Sequence, residues 1–177
     1  IPSSVTSIGN ESFFCCRKIK RISIPSSVKH IGNNAFECCH SLKRIEIPSS
    51  VISIGDRAFQ GCLELSEILI PPSVKSIGKC IYSGCRSLKR VTIPSNKTSI
   101  EEDEFNECSS LVKISIPSSV KSIEKRAFCK CKSLTEISIP SSVTSIGDNA
   151  FEECTSLKRI LIANSVTTVG NHVFHNC

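Results

Sequence analysis

The chain has 177 residues, 40% of them hydrophobic, and a net charge of +6. That length suffices to bury one sizeable core, the mild charge is too low to argue for nucleic acid by itself, and no apolar run reaches the ~18 residues of a membrane-crossing helix. Methionine is absent, so the expectation is a fragment or a processed product, with any secretion signal lying outside it.

Internal periodicity settles the organisation. Ile-Pro begins at Ile1, Ile24, Ile47, Ile70, Ile93, Ile116 and Ile139, and Ile162-Ala163 opens a further unit. The period is 23 residues without insertion, so residues 1–177 read as one domain of seven full repeats and a partial one. Within each repeat the apolar positions are 1, 5, 8, 12, 13, 16, 19 and 22. Positions 22 and 1 alternate with polar 21 and 23, the period of a half-buried strand. Proline at position 2 has no N–H for a neighbouring strand and ends the pairing. Serines follow as a turn, then a short extended piece. Positions 9 to 16, as in Gly147 to Cys154, place Ala, Phe and Cys on one face of a single helical turn, opened by Gly and Asp or Asn. A short α- or 3₁₀-turn is predicted there, too brief to stand unpacked.

One such unit cannot bury its own apolar edge, so stacking at about 4.8 Å is expected to build one continuous core. Phe13, Phe36, Phe59, Tyr82, Phe105, Phe128, Phe151 and Phe174 should form a buried column. The first and last strands lack polar caps, so flanking repeats, or end-to-end association with another copy through the open edges, are expected.

Repeat five departs from the pattern, with Lys97 for Val, Glu101 for Gly and Glu104 for Ala; repeat six has Glu124 for Gly. Lys97 is expected to extend its head to water, with the acids of Glu101 to Glu104 turned outward.

Eight of the twelve cysteines occupy position 16. They are expected to be reduced, packed as small hydrophobes. Cys15 and Cys38 share position 15 on neighbouring repeats, outside the core face, and Cys80 and Cys129 stand elsewhere. A Cys15–Cys38 disulfide stays open, as does a zinc site drawing on Cys15, Cys16, Cys38, Cys39 and His40 or on His172, His175 and Cys177.

No nucleophile, base and orienter are gathered by the repeat, no glycine-rich phosphate loop occurs, and the four histidines fall at four different positions. No catalytic residue and no cofactor are expected. The exposed sheet columns are more informative. Position 21 carries Arg21, Arg44, Glu67, Arg90, Lys113, Glu136 and Arg159; position 20 adds Lys20, Lys43, Lys89 and Lys158. The first column nets +3 and the second adds +4, which together exceed the net charge of the whole chain. The positive charge is therefore concentrated on one side. Such a face solubilises a sheet or attracts an acidic protein patch or a polyanionic glycan. Nucleic acid is disfavoured because no aromatics interleave to stack bases. The sequons Asn10-Glu11-Ser12 and Asn96-Lys97-Thr98 are compatible with a secreted chain.

The pattern Leu-x-x-Ile-x-Ile-Pro-x-x-Val-x-x-Ile-Gly-x-x-Ala-Phe-x-x-Cys, seen for example from Leu42 through Cys62, resembles the BspA-like leucine-rich repeats over the entire chain. The resemblance implies a curved solenoid with a parallel sheet of about eight strands on its concave side and helical or 3₁₀ turns on its convex side. It also implies a cell-surface or secreted protein concerned with adhesion or recognition. A structural spacer, or a cytoplasmic scaffold holding reduced thiols, remains the competing reading.

Overall fold

A computed structural model describes residues 1–177. Each 23-residue repeat forms one coil, numbered here one to seven with an eighth, partial coil, and the coils stack in register through two parallel ladders of short strands. The first ladder uses positions 7 and 8. It contains β1 (Ser7–Ile8), β3 (His30–Ile31), β5 (Ser53–Ile54) and β7 (Ser76–Ile77), then a second group of β9 (Ser99–Ile100), β10 (Ser122–Ile123), β12 (Ser145–Ile146) and β14 (Thr168–Val169). The second ladder uses positions 21 to 23 and, further along, position 1. It contains β2 (Arg21–Ser23), β4 (Arg44–Glu46), β6 (Glu67–Ile68) and β8 (Arg90–Val91), then the pair β11 (Glu136–Ile139) and β13 (Arg159–Ile162). Position 21 is thereby held in register across neighbours, as in Arg21↔Arg44↔Glu67↔Arg90.

The core lies between the ladders and runs the length of the stack, with Val28, Phe59, Cys62, Leu65, Leu111 and Phe128 wholly buried. The expected aromatic column forms, but it is buried only from Phe36 to Phe151: Phe13 is half-buried, Phe174 is exposed, and the stacking skips from Phe59 to Tyr82. Its rings stack face to face from Phe13 to Phe59 and from Tyr82 to Phe174, with centroids 5.1–5.6 Å apart.

The expected helical turn over positions 9 to 16 is not formed, and the expected single sheet of about eight strands is six segments in two groups. The reason for the first correction is visible in the backbone. Positions 11 and 15 adopt positive φ in every coil, from Glu11 (57°) and Cys15 (55°) to His172 (54°) and Asn176 (58°). That left-handed excursion turns alternate N–H groups along the stack. Phe36 N–H donates to Ala58 O at 2.8 Å and Cys38 N–H to Gln60 O at 2.8 Å, instead of closing i→i−4 bonds. Between them run i→i−3 turns, such as Cys39 N–H to Phe36 O at 3.2 Å. Neighbouring coils supply acceptors that a lone turn lacks, so stacking outcompetes the helix.

Three side-chain ladders accompany the backbone. Four position-4 serines (Ser27, Ser50, Ser119 and Ser165) donate to the position-5 carbonyl of the preceding coil, as Ser27 to Val5 O at 2.6 Å, whereas Ser73 and Ser142 have no partner. Position-10 Asx residues accept the N–H of the next coil, as Asn10 Oδ1 from Asn33 at 2.8 Å. This is why glycine precedes them: a Cβ on Gly55 would lie 2.6 Å from Asn33 N and 2.3 Å from its Oδ1. Finally, each position-16 thiol from Cys39 to Cys177 donates to the position-13 carbonyl of the preceding coil, at 3.0–3.2 Å. These cysteines are hydrogen-bonded members of the core and not merely small hydrophobes. Burial holds their thiols well above the ordinary range at Cys62, Cys85, Cys108 and Cys131, which keeps the donating proton in place.

Both strand ladders are interrupted between coils four and five, although Tyr82 N–H to Glu104 O, Gly84 N–H to Asn106 O and Ser110 N–H to Arg86 O still join these coils. Five other junctions between full coils share three bonds, for example Lys29 N–H to Thr6 O, Gly32 N–H to Ile8 O and Lys43 N–H to Lys20 O. At the fourth junction Thr98, Glu101 and Val112 make none of these bonds, and both strand ladders break. Glu101 N–H turns instead to Glu104 Oε2 at 2.8 Å. Glu124 also replaces glycine, yet its N–H still reaches Ile100 O at 2.8 Å. An acid at this position is therefore insufficient to open the stack, and the buried Glu104 carboxylate supplies the competing acceptor. The expected outward placement of Lys97 and Glu104 is corrected here. Their side chains are 8% and 2% exposed and form an ion pair at 3.2 Å. Burial raises Glu104 to about 7, although the charge and hydrogen bond of Lys97 pull it down.

Candidate functional site

Strand pleating decides which charges face solvent. Position 22 points into the core (Ile45 3%, Ile68 0%, Ile137 3%), so positions 21 and 23 on either side point out. The structure brings all seven position-21 residues into one column and leaves Arg21, Arg44, Arg90, Lys113, Glu136 and Arg159 exposed, with Glu67 half-buried. Lys20, Lys43, Lys89 and Lys158 are exposed beside it. Strand pairing holds that column in two stretches, Arg21 to Arg90 and Glu136 to Arg159, with Lys113 tied to Glu136 by its ion pair.

The charges on it are not equivalent. Glu67 sits between Arg44 (3.2 Å) and Arg90 (3.0 Å) and bridges both. Glu136 is paired with Lys113, whose hydrogen bond and charge hold its carboxyl below the usual range. Lys43 reaches Glu64 at 3.6 Å. Arg21 has no ion-pair partner, and its in-register neighbour is another cation, Arg44. Being exposed and screened by water, the pairs on this face contribute little, so an incoming anion displaces them cheaply. Lys89, Lys158 and Arg159 lack an ion-pair partner too, as does Lys20, which stands beside Arg21 on the first coil.

A depression of about 730 Å³ lies over that same region, lined by Arg21, Ser23, Lys43, Arg44, Glu46 and Ser66 together with the apolar edges of Ile24 and Ile47. A second, of about 300 Å³, lies over Lys113, Glu136, Arg159 and Leu161. Leu69 and Leu161, 49% and 59% exposed, are apolar points on the same face. Sequence reasoning found the columns but could not find this asymmetry, because it depends on which acid each cation reaches.

The other candidates are dispersed. No group of three or more His, Cys, Asp and Glu side chains is placed to hold a metal ion. His175 Nδ1 faces Glu152 at 3.3 Å, and Cys177 Sγ is occupied by Phe151 O at 3.0 Å. All twelve cysteines are unbonded thiols. Of the two sequons, Asn96 spends its amide on Val74 O at 3.2 Å, whereas Asn10 uses only its carbonyl oxygen, leaving the amide nitrogen of an exposed residue unengaged.

No curated protein matched the chain. Among solved structures, a leucine-rich repeat protein of T. pallidum superimposes with a TM-score of 0.80 at 31% identity, covering 89% of this chain and 76% of that one. A leucine-rich repeat protein of Eubacterium ventriosum gives 0.82 at 30% identity over 96% of this chain and 46% of its own. A leucine-rich cell surface protein of Faecalibacterium prausnitzii gives 0.68 at 31% identity over 93% of this chain and 53% of its own. The chain thus spans about half the length of the last two. The profile of the BspA type leucine-rich repeat region matches residues 1–82 and 52–177 in six copies, so the chain belongs to the BspA-type leucine-rich repeat family.

Proposed function

We propose that the chain is a non-enzymatic recognition module, displayed at a cell surface or secreted, that binds an acidic protein patch or a polyanionic glycan on its cationic sheet face. The observation that carries this reading is the pair of cations without an ion-pair partner, Lys20 and Arg21, beside a depression lined by Arg21 and edged by Ile24 and Ile47. A surface built only for solubility has no need to set two arginines side by side in register. The relative from Faecalibacterium prausnitzii, a leucine-rich cell surface protein, supports the proposed location.

The test is binding to a panel of sulfated glycans and acidic proteins at low and near-physiological salt. A variant carrying Lys20→Glu, Arg21→Glu and Lys43→Glu runs beside one in which Lys125 and Lys130, away from the sheet face, are reversed. Binding at near-physiological salt that falls more than about tenfold, roughly 1.4 kcal/mol, only in the first variant supports the site. Equal loss in both variants marks nonspecific charge attraction and defeats it.

The spacer reading has one observation in its favour. Arg44, Arg90 and Lys113, three of the five position-21 cations, are already matched by Glu67 and Glu136. It prevails if no member of the panel binds.

A further inference from the structure

The position-15 cysteines are set apart from the eight of the core column. Cys15 and Cys38 are half-buried rather than buried, lie on adjacent coils, and form the one pair of cysteines outside position 16 that shares a repeat position. Coils one and two are 5.1 Å apart at the rings of Phe13 and Phe36, two residues away. That spacing falls within the Cα separation of about 4.4–6.8 Å that a disulfide accepts.

Spacing alone is inadequate, because side chains leaving two stacked coils in parallel keep their sulfurs apart. Gly61, the position-15 residue of the next coil, acts as a ruler for this. A Cβ built on Gly61 lies 3.3 Å from Cys38 Sγ and 3.7 Å from Cys38 Cα. Position 15 therefore leans back toward the preceding coil. Cys38 stands to Cys15 as Gly61 stands to Cys38, with closely similar φ at both cysteines (55° and 57°). Across a disulfide the Cβ of one partner sits about 3.0 Å from the sulfur of the other. Closing the remaining few tenths of an ångström needs rotation of the thiols and little backbone movement.

The geometry points to Cys15 and Cys38 as a redox-active pair that forms a disulfide, stapling the first two coils together. The bond arises by exchange with a small-molecule disulfide such as oxidised glutathione. One thiolate of the pair attacks a sulfur of that disulfide and releases one glutathione thiolate. The second thiolate attacks the mixed disulfide and releases the other. Two S–H bonds are lost from the protein, one S–S bond is gained, and the two electrons and two protons leave as two glutathione thiols.

Selectivity follows from the fold. The six position-16 thiols from Cys39 to Cys154 are buried and committed as donors to backbone carbonyls, and a bond between them would sacrifice both interactions, whereas half-buried Cys16 belongs to the core-facing column and not to position 15. Cys80 has Arg57 and Asp103 as its column neighbours, and Cys129 has Asn106 and Glu152, so neither finds a second sulfur at its own position. The staple ties together the coils that carry Lys20, Arg21, Lys43 and Arg44, although it does not depend on any ligand binding there.

The test is oxidation of the folded chain in glutathione buffer with the disulfide form in excess, followed by denaturation, alkylation and peptide mapping by mass spectrometry. The expected product is about 2 Da lighter than the reduced chain. It takes up ten alkyl groups, the twelve cysteines less the bonded two, and yields a cross-linked peptide joining Cys15 to Cys38. Cys15→Ser and Cys38→Ser each abolish the cross-link, and Cys129→Ser leaves it intact. Because the map of the unsubstituted chain is decisive, a variant that fails to fold does not obscure the result. Twelve alkylatable thiols, a stable glutathione adduct on either sulfur, or a bond involving a position-16 cysteine overturns the assignment.

Discussion

Restoring the repeat pattern in coil five, by Lys97→Val together with Glu104→Ala, should stabilise the chain above neutral pH. Val is the residue at position 5 in the other coils and is fully buried at Val51, Val74 and Val143. In the native chain burial raises the Glu104 carboxyl from 4.5 to about 7, which corresponds to about 3 kcal/mol of penalty on its charged form. Removing both partners lifts that penalty and adds apolar burial, and such replacements of buried pairs gain about 1–4 kcal/mol. Glu104→Ala alone strands the Lys97 ammonium in the core and should cost about 3–5 kcal/mol. The pH dependence carries the sign. Between about pH 4.5 and 7 the folded chain holds a proton on Glu104 that the unfolded chain has released. Its contribution to stability is therefore full below the unfolded value and is lost as pH rises through about 7. Lys97, Glu101 and Tyr82 are the ionisable groups that face it. Urea unfolding of the four chains of this cycle, in reducing buffer from pH 5 to 8, measures both effects. A double variant less stable than the native chain at pH 8, or a difference between the two that does not change with pH, would refute the reasoning.

Four other outcomes are expected. Phe128→Ala removes a ring stacked on both sides and wholly buried; it should cost about 3–5 kcal/mol by the same unfolding measurement. Amide hydrogen exchange should be faster at Thr98 and Val112, which have no backbone acceptor, than at the equivalent Lys121 and Thr135; equal protection would mean that the fourth junction is closed in solution. Gly55→Ala places a Cβ 2.6 Å from the backbone nitrogen of Asn33 and should destabilise by roughly 1–3 kcal/mol in urea, while a neutral result would show that the coils separate freely. Cys131→Val removes the thiol donor to Phe105 O and puts in its place an apolar side chain about one methyl group larger. It should cost about 1 kcal/mol, and a gain in stability would return the position-16 column to simple hydrophobic packing.

Much of this protein was determined by its sequence. A strict 23-residue period means that whatever one repeat does, its neighbours do beside it, so the apolar positions, the Phe/Tyr column and the basic columns at positions 20 and 21 all follow from one unit. Stacking in register then makes a column of every position, because parallel strands place equivalent residues side by side.

The tertiary structure decided what those positions bond to. Positions 11 and 15 carry residues as different as Arg57, Asp103, Cys38 and Lys130, so no residue type signals their left-handed backbone, which exists because the adjacent coil offers carbonyls to the outturned N–H groups. Donation by the position-16 thiols is equally invisible in the sequence, since the acceptor belongs to the coil before. Lys97 and Glu104, seven residues apart, read as a solvated cation and an outward acid. Only the fold shows that positions 5 and 12 face one another across the core, where two charges excluded from water must pair. The same holds for the cationic face: the columns are written in the repeat, but which cation is neutralised and which stands unpaired depends on distances between neighbouring coils that a single chain of letters does not contain.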